Sequence, residues 1–477
     1  MLSRRSMLKL LGLGSMSLLR YPSLYAQNKS PNILFIFIDD MGWPAISCFG
    51  NRYVSTPNID RLANEGMKFT DGYVTPQCTP SRASLLTGQH TARNGMWHVI
   101  PRYNYPFGKV KEPDYVENLP RNTPTIGSAL QACGYKTALL GKWHLTQSDD
   151  GYYTYLKDNA KQYYGFDYVN PMTDPTEYQS YGDKGVDFLT DQAIEFIENN
   201  RQQPFFIYLA HHTIHNPVLA PEEDVENYRK IGYANQGIHN SVYLGAIKHM
   251  DTAIGRLLNK LDDLGIANDT VVVFLSDNGG VDEEFDNAPL RYGKGTAYEG
   301  GIRVPLMVRW PGKVRPHTVC HTPVQVVDFF PTLLDIAGGK APANHVLDGL
   351  SIMPLLKEQG VWKRDALYWY MPLYDILWGA TPSAVIRQGD YKLIQFFGDY
   401  VDLDHGRKYI PEGRVELYNL HDDIGETRDL SKDMPERTQA MLEKLHAWIH
   451  DMGREIPGEN PDYDPERWYQ VVRPARK

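Results

Sequence analysis

Four short polar runs, each directly behind an apolar stretch, carry side chains able to do chemistry in this chain. Asp39-Asp40 follow Ile33–Ile38, Lys142 and His144 follow Thr137–Leu140, His211, His212 and His215 follow Phe205–Leu209, and Asp277-Asn278 follow Val271–Leu275. Asp39, Asp40, Asp277 and Asn278 offer only oxygen ligands, which favour a hard cation, calcium or magnesium, over zinc. Calcium's larger, flexible shell fits four such side chains and still admits further oxygens. Carboxylates at strand ends also act as caps and turn formers. Two adjacent Asp behind a buried strand are costly, however, unless something neutralises them.

A second kind of signal is the string Cys78-Thr79-Pro80-Ser81-Arg82-Ala83-Ser84-Leu85-Leu86-Thr87-Gly88. Pro80 suits the first turn of a helix, where its missing N–H costs nothing, and Gly88 suits the stop. Cys78 then sits at the helix N-terminus, where backbone N–H groups favour negative charge. Arg82, four residues on, can face the same side and hold an anion. Taken alone, the cysteine could equally be a buried residue before an ordinary capped helix. Two further strings stand out: Gly134-Tyr135-Lys136-Thr137-Ala138-Leu139-Leu140-Gly141-Lys142-Trp143-His144, and the glycine-rich run Tyr292–Pro305, which contains Lys294.

Together these strings resemble the type I, formylglycine-dependent sulfatase family of the alkaline phosphatase superfamily. The resemblance covers about residues 30 to 310 closely and the C-terminal part loosely. It implies that Cys78 is oxidised to formylglycine by a formylglycine-generating maturation enzyme. It also implies that Asp39, Asp40, Asp277 and Asn278, with the oxygen of residue 78, bind Ca2+. Arg82, Lys142 and Lys294 would neutralise the sulfate oxygens. His215, two residues before Pro217 as in the family pattern, would protonate the leaving oxygen with Lys294, with His211 and His212 as possible substitutes. His144 would take a proton from the second hydroxyl of the aldehyde hydrate. Lys142, His215 and Lys294 would also bind substrate, a sulfate ester of a carbohydrate or polysaccharide fragment. A phosphonate monoester or phosphodiester hydrolase, and a non-catalytic sulfated-glycan binder, are the alternatives.

The elements that position these residues are readable from pattern. Continuous apolar runs alternating with helical stretches over Ile59–Glu65, Thr125–Cys133, Gly185–Asn199 and Val242–Leu264 predict an α/β fold. Its large, mostly parallel sheet is flanked by helices. In such sheets ligands bind beyond the carboxyl ends of the strands, where the four polar runs converge. From about Trp369 the texture changes to antiparallel strands over Ala384–Arg387, Tyr391–Phe396 and Val415–Asn419, then a helix over Pro435–Met452. This predicts a catalytic domain over 28–368 and a smaller C-terminal α+β subdomain over 369–477. Met96–Tyr105, Val281–Asp286 and Tyr370–Trp378 are candidate walls of a sugar site.

Bulk properties narrow the classes. A formal net charge of -9 over 477 residues argues against nucleic acid as a partner. The 31 Tyr and 9 Trp suit both a large core and stacking on sugar faces. Four cysteines without a CxxC are no disulfide framework, and the sequence does not pair Cys48, Cys133 and Cys320. Arg4-Arg5 before a short apolar run, with Ala26 as a small residue for cleavage, resemble a twin-arginine export signal over 1–27, the alternative being a Sec signal whose basic start contains two arginines. The expected location is therefore periplasmic or secreted, with no transmembrane segment. The sugar, the sulfate position, endo or exo action and oligomeric state are not legible.

Overall fold

The structure, a computed structural model, describes residues 30–100, 103–146, 157–170 and 182–472, so the export signal lies outside the described residues. Among the described residues, nine strands form the main sheet: β1 (Asn32–Ile38), β2 (Met67–Tyr73), β3 (Lys136–Gly141), β4 (Tyr168–Asn170), β5 (Phe205–Ala210), β6 (Thr270–Ser276), β7 (Arg303–Arg309), β8 (Thr318–Cys320) and β9 (Val324–Gln325). Their order is β4-β3-β5-β1-β6-β7-β2-β8, with β9 beside β2. Only β7 runs against the others, antiparallel to both β6 and β2. The mostly parallel α/β architecture read from the apolar runs is the observed one.

Every residue of β1 is buried, because it lies centrally between β5 and β6 and is covered on both faces. Ile33, Phe35 and Phe37 point into a core shared with Leu85 and Leu86 of the Cys78–Thr87 helix and Leu333 of the Phe329–Ala337 helix. Leu34, Ile36 and Ile38 point the other way, onto Leu189 of the Val186–Asn200 helix and Leu244 of the Ser241–Asp263 helix. Register then decides the site. Phe37 pairs with Ala210 and Ile38 with Ser276, so three strands end level. Backbone bonds continue past those ends: Asp39 N–H to Thr213 O (3.2 Å), Asp277 N–H to Ile38 O (3.0 Å) and Lys142 N–H to Ala210 O (2.8 Å). The chemically capable residues therefore leave the sheet from a fixed edge rather than from free loops.

The second sheet is antiparallel, β10 (Leu367–Met371), β11 (Ser383–Gln388), β12 (Tyr391–Phe396) and β15 (Arg414–Asn419), beside a hairpin of β13 (Tyr400–Asp402) and β14 (Lys408–Ile410). The Pro435–Asp451 helix buries Met441, Leu445 and Ile449 in its core. The chain from Pro31 onward forms one compact unit. Charged groups join the two sheets. Lys392 of β12 has no exposed surface, and its Nζ lies 3.0 Å from Glu299 Oε1 and 2.8 Å from Glu426 Oε1. Tyr73 of β2 donates to Glu299 Oε2 at 2.7 Å. No described helix is long and apolar enough to cross a membrane, and none of the four cysteines is bridged.

Two outcomes follow from these buried groups. Lys392→Met would leave Glu426 buried without its cation and Glu299 with Arg303 alone, and should lower the unfolding free energy by about 3 kcal/mol or more in urea titrations; an unchanged midpoint would contradict this. His211, behind β5, has no exposed surface, and neither ring nitrogen has a hydrogen-bond partner. Burial pushes its pKa down to about 4. The ring is neutral when folded and regains its ordinary value, about 6.5, when unfolded. Unfolding therefore takes up a proton, and stability should fall as pH drops from about 6.5 toward 4. Urea midpoints in that window should fall less steeply in His211→Phe; equal slopes would contradict the assignment.

Candidate active site

Asp39, Asp40, Asp277 and Asn278 leave β1 and β6 with at most 2% of their surface exposed. Asp40 takes the left-handed backbone region (φ 65°), which Asp tolerates better than most residues. Its N–H donates to Asp277 Oδ1 at 3.2 Å, tying the two strand ends together. Ligand atoms of Asp39, Asp40, Asp277 and Cys78 all lie within 4.8 Å of one another. Asn278 donates Nδ2 to Asp40 Oδ1 (2.8 Å) and to Gly279 O (2.9 Å), while its Oδ1 is buried with no hydrogen-bond partner. An unpartnered buried carbonyl oxygen beside three carboxylates fits a hard divalent cation.

Cys78 opens its helix behind Gln77, which is extended, and the helix ends at Gly88 in the left-handed region (φ 66°). Ser81 fastens the start: its Oγ accepts from Thr75 N–H at 2.9 Å and donates to Thr75 O at 3.0 Å. Cys78 Sγ stands 3.5 Å from Asp39 Oδ1 and 3.9 Å from Asp40 Oδ1. Burial pushes the thiol's pKa well up, and the pull of Lys142 and Lys294 does not offset it. As encoded, residue 78 is a neutral thiol.

Arg82 reaches the same pocket, but its partner is protein. Nε and Nη2 donate to Asp277 Oδ2 at 3.0 and 2.6 Å, and Nη1 to Lys142 O at 2.9 Å. With no exposed surface, the guanidinium orients Asp277 and lies 3.8 Å from Asp39 Oδ1. Lys142 Nζ bonds Asp39 Oδ2 at 2.6 Å, and Lys294 Nζ bonds Asp40 at 2.7 and 2.8 Å. Burial opposes ionisation of Asp39, yet Lys142, His215, Arg82 and Lys294 together hold its carboxyl well below the usual range. Asp277 is pushed up to about 7 by burial and the neighbouring Asp39, despite Arg82 and Lys142.

The histidines separate by environment. His144 Nε2 lies 2.6 Å from Ile100 O and must carry the proton there, because a carbonyl only accepts. Its Nδ1 is buried without a hydrogen-bond partner, and burial with Lys142 keeps the ring neutral. His215 donates Nδ1–H to Asn216 O at 2.6 Å, leaving Nε2 facing Asp40 Oδ2 at 4.0 Å, with 37% of the side chain exposed. Burial and Lys294 depress its pKa to about 4. His211 is influenced instead by Asp183 and His249, on the helical side, while His212 is buried within reach of Lys142 and Asp39. Lys184 was not among the residues expected at the site. It is 1% exposed, donates to His215 O, and is influenced by Asp39 and Asp40. Asp183-Lys184-Gly185 reads as a turn before a helix, and Asp183 does accept from Gly185 N–H (2.8 Å) and Asp187 N–H (2.8 Å). Nothing in that pattern marks the lysine between them.

Comparison with known proteins places the chain in a family. Residues 31–339 match the sulfatase family model, and residues 291–454 match that of the N-sulphoglucosamine sulphohydrolase C-terminal region. A sulfatase of Formosa agariphila is 32% identical, across 88% of this chain and 89% of its own. Arylsulfatase A of Homo sapiens is 30% identical, across 87% and 86%. Among solved structures, Ps i-CgsB superposes with a TM-score of 0.72 at 27% identity, covering 91% of this chain and 95% of that one. The phosphonate monoester hydrolase of Agrobacterium radiobacter shares the fold, with a TM-score of 0.65 at 21% identity and coverage of 88% and 96%. With its family model matched over most of the chain, the protein belongs to the sulfatase family of the alkaline phosphatase superfamily and is a sulfuric ester hydrolase.

Proposed function

We propose that the protein hydrolyses sulfate esters of a carbohydrate, with Cys78 matured to formylglycine beside a bound Ca2+. The observation that carries this reading is the buried, unpartnered Asn278 Oδ1 among three carboxylates, with residue 78 at the same point. The neutral thiol supports maturation as well, since an unionised cysteine is a poor nucleophile. As formylglycine, residue 78 would supply an aldehyde hydrate, one hydroxyl for attack on sulfur and a second from which the aldehyde can be regenerated. Calcium, held by Asp39, Asp40, Asp277 and Asn278, would supply positive charge for sulfate and hydroxyl oxygens.

The remaining chemistry belongs to the chain's own groups. Lys142 and Lys294 are ammonium donors fixed on Asp39 and Asp40, so they offer sulfate oxygens preorganised positive charge. Arg82 acts through Asp277, fixing the carboxylate's direction. His144, neutral and with Nδ1 unencumbered, suits proton removal from the hydrate. His215 has its Nε2 toward the pocket and a partly open ring, which suits contact with the leaving oxygen beside the Lys294 ammonium on the same Asp40. Carbohydrate as the substrate class is supported by the similar Ps i-CgsB, which has been crystallised in complex with k-i-k-neocarrahexaose. We also read residues 1–27 as an export signal, from Arg4-Arg5 and the apolar run that follows.

Coexpression with a formylglycine-generating enzyme, mass spectrometry of the Cys78 peptide, and a panel of sulfated oligosaccharides, aryl sulfates and aryl phosphonates test the reading. Sulfate release from at least one sugar is expected, with kcat/KM for sulfate esters above that for phosphonates. Cys78→Ala should reduce turnover by about 10^3-fold or more. Preference for phosphonates would favour the related hydrolase. Matured protein inert on the whole panel, or undiminished function in Cys78→Ala, would contradict the proposal.

A further inference from the structure

The loop between β10 and β11 reaches the catalytic pocket from the second sheet. Asp375 and Ala380 exchange two backbone hydrogen bonds of 3.0 Å, and Trp378 N–H returns to Asp375 O at 3.0 Å, closing a compact turn. That turn is fastened to both sides of the site. Gln77, directly before Cys78, donates Nε2 to Asp375 Oδ2 at 2.7 Å. Gly295, directly after Lys294, lies against Trp378 so closely that a Cβ there would fall 2.2 Å from the Trp378 Cβ. Arg407, at the tip of the β13–β14 hairpin, donates to Leu377 O and pairs with Glu283 at 3.0 Å. Three segments thus hold one another around a single indole.

The position of that indole is chemically specific. Lys294 Nζ, which bonds Asp40, stands 5.3 Å from the centre of the Trp378 ring. The ring is only partly buried, and Leu377 beside it is 58% exposed. A sulfate ester held by Lys294 would lie beside the face of this partly open ring. Such a face suits the C–H side of a pyranose, while nearby Glu283 and Arg407 offer polar partners for hydroxyls.

We propose that Trp378 is a specificity-determining residue, its indole receiving the apolar face of the sugar ring that carries the scissile sulfate. The competing structural role is that the ring merely steadies Lys294 through a cation–π contact. The two differ in what they protect: stacking affects the sugar, whereas propping Lys294 affects the anion.

The proposal rests on the carbohydrate reading above, so the experiment separates the two. Matured wild type, Trp378→Ala and Trp378→Phe are compared on the best sulfated oligosaccharide, on an aryl sulfate, and for competitive inhibition by inorganic sulfate. For Trp378→Ala, KM for the oligosaccharide should rise about tenfold or more. Its inhibition constant for inorganic sulfate should stay within about twofold of wild type, and Trp378→Phe should recover most of the loss. An unchanged oligosaccharide KM in Trp378→Ala, or a parallel loss of sulfate inhibition, would overturn the role of Trp378 and leave the carbohydrate reading standing. Wild type active on aryl sulfate but on no sugar would overturn both.

Discussion

Three carboxylates buried against one another at the carboxyl edge of a parallel sheet are the constraint on which this structure turns. Like charges this close raise one another's pKa, and burial adds to the cost. The chain answers with Arg82 on Asp277, Lys142 on Asp39 and Lys294 on Asp40, each pair within 2.7 Å. Even so Asp277 is pushed up to about 7, because burial and Asp39 outweigh Arg82 and Lys142. A divalent cation among these oxygens would bring the remaining carboxylate back into the ionised range and give Asn278 Oδ1 its partner.

Everything around that pocket serves to make it reproducible. β1 ends level with β5 and β6, so Asp39, His211 and Asp277 are placed by register rather than by loop conformation. The Cys78–Thr87 helix is packed through Leu85 and Leu86 under the same sheet, which fixes where its first residue stands. The antiparallel sheet adds a wall. Lys392, Glu299 and Glu426 bind it to the loop after Lys294, and the Asp375–Ala380 turn leans on the residues flanking both Cys78 and Lys294. The carboxylate pocket and the second sheet are thereby coupled through buried contacts.

Much of this was legible in the residues because the backbone demands it. Short apolar runs of strand length between turn residues read as strands buried on both faces, and Pro80 and Gly88 bracket a short helix with defined ends. β2 was not legible: Asp71-Gly72 breaks its alternation, and the pairing with β7 shifts register at that point. The reversed direction of β7 left no local signature, since pairing direction is settled by partners distant in sequence. Arg82 was readable as a site residue, but not as one committed to Asp277, because spacing along a helix does not reveal which charge lies opposite. Lys184 was hidden by its turn-like neighbours. Trp378 lay within a segment chosen only by adjacency along the chain, and the fold brought it beside Lys294.

Calcium binding to chelator-treated protein, followed by isothermal titration calorimetry, tests the central claim most directly. One saturable site per chain is expected in the wild type, with raised thermal stability on saturation and loss of both in Asp40→Asn and Asn278→Ala. No binding heat in folded wild type, or binding that survives both substitutions, would contradict it.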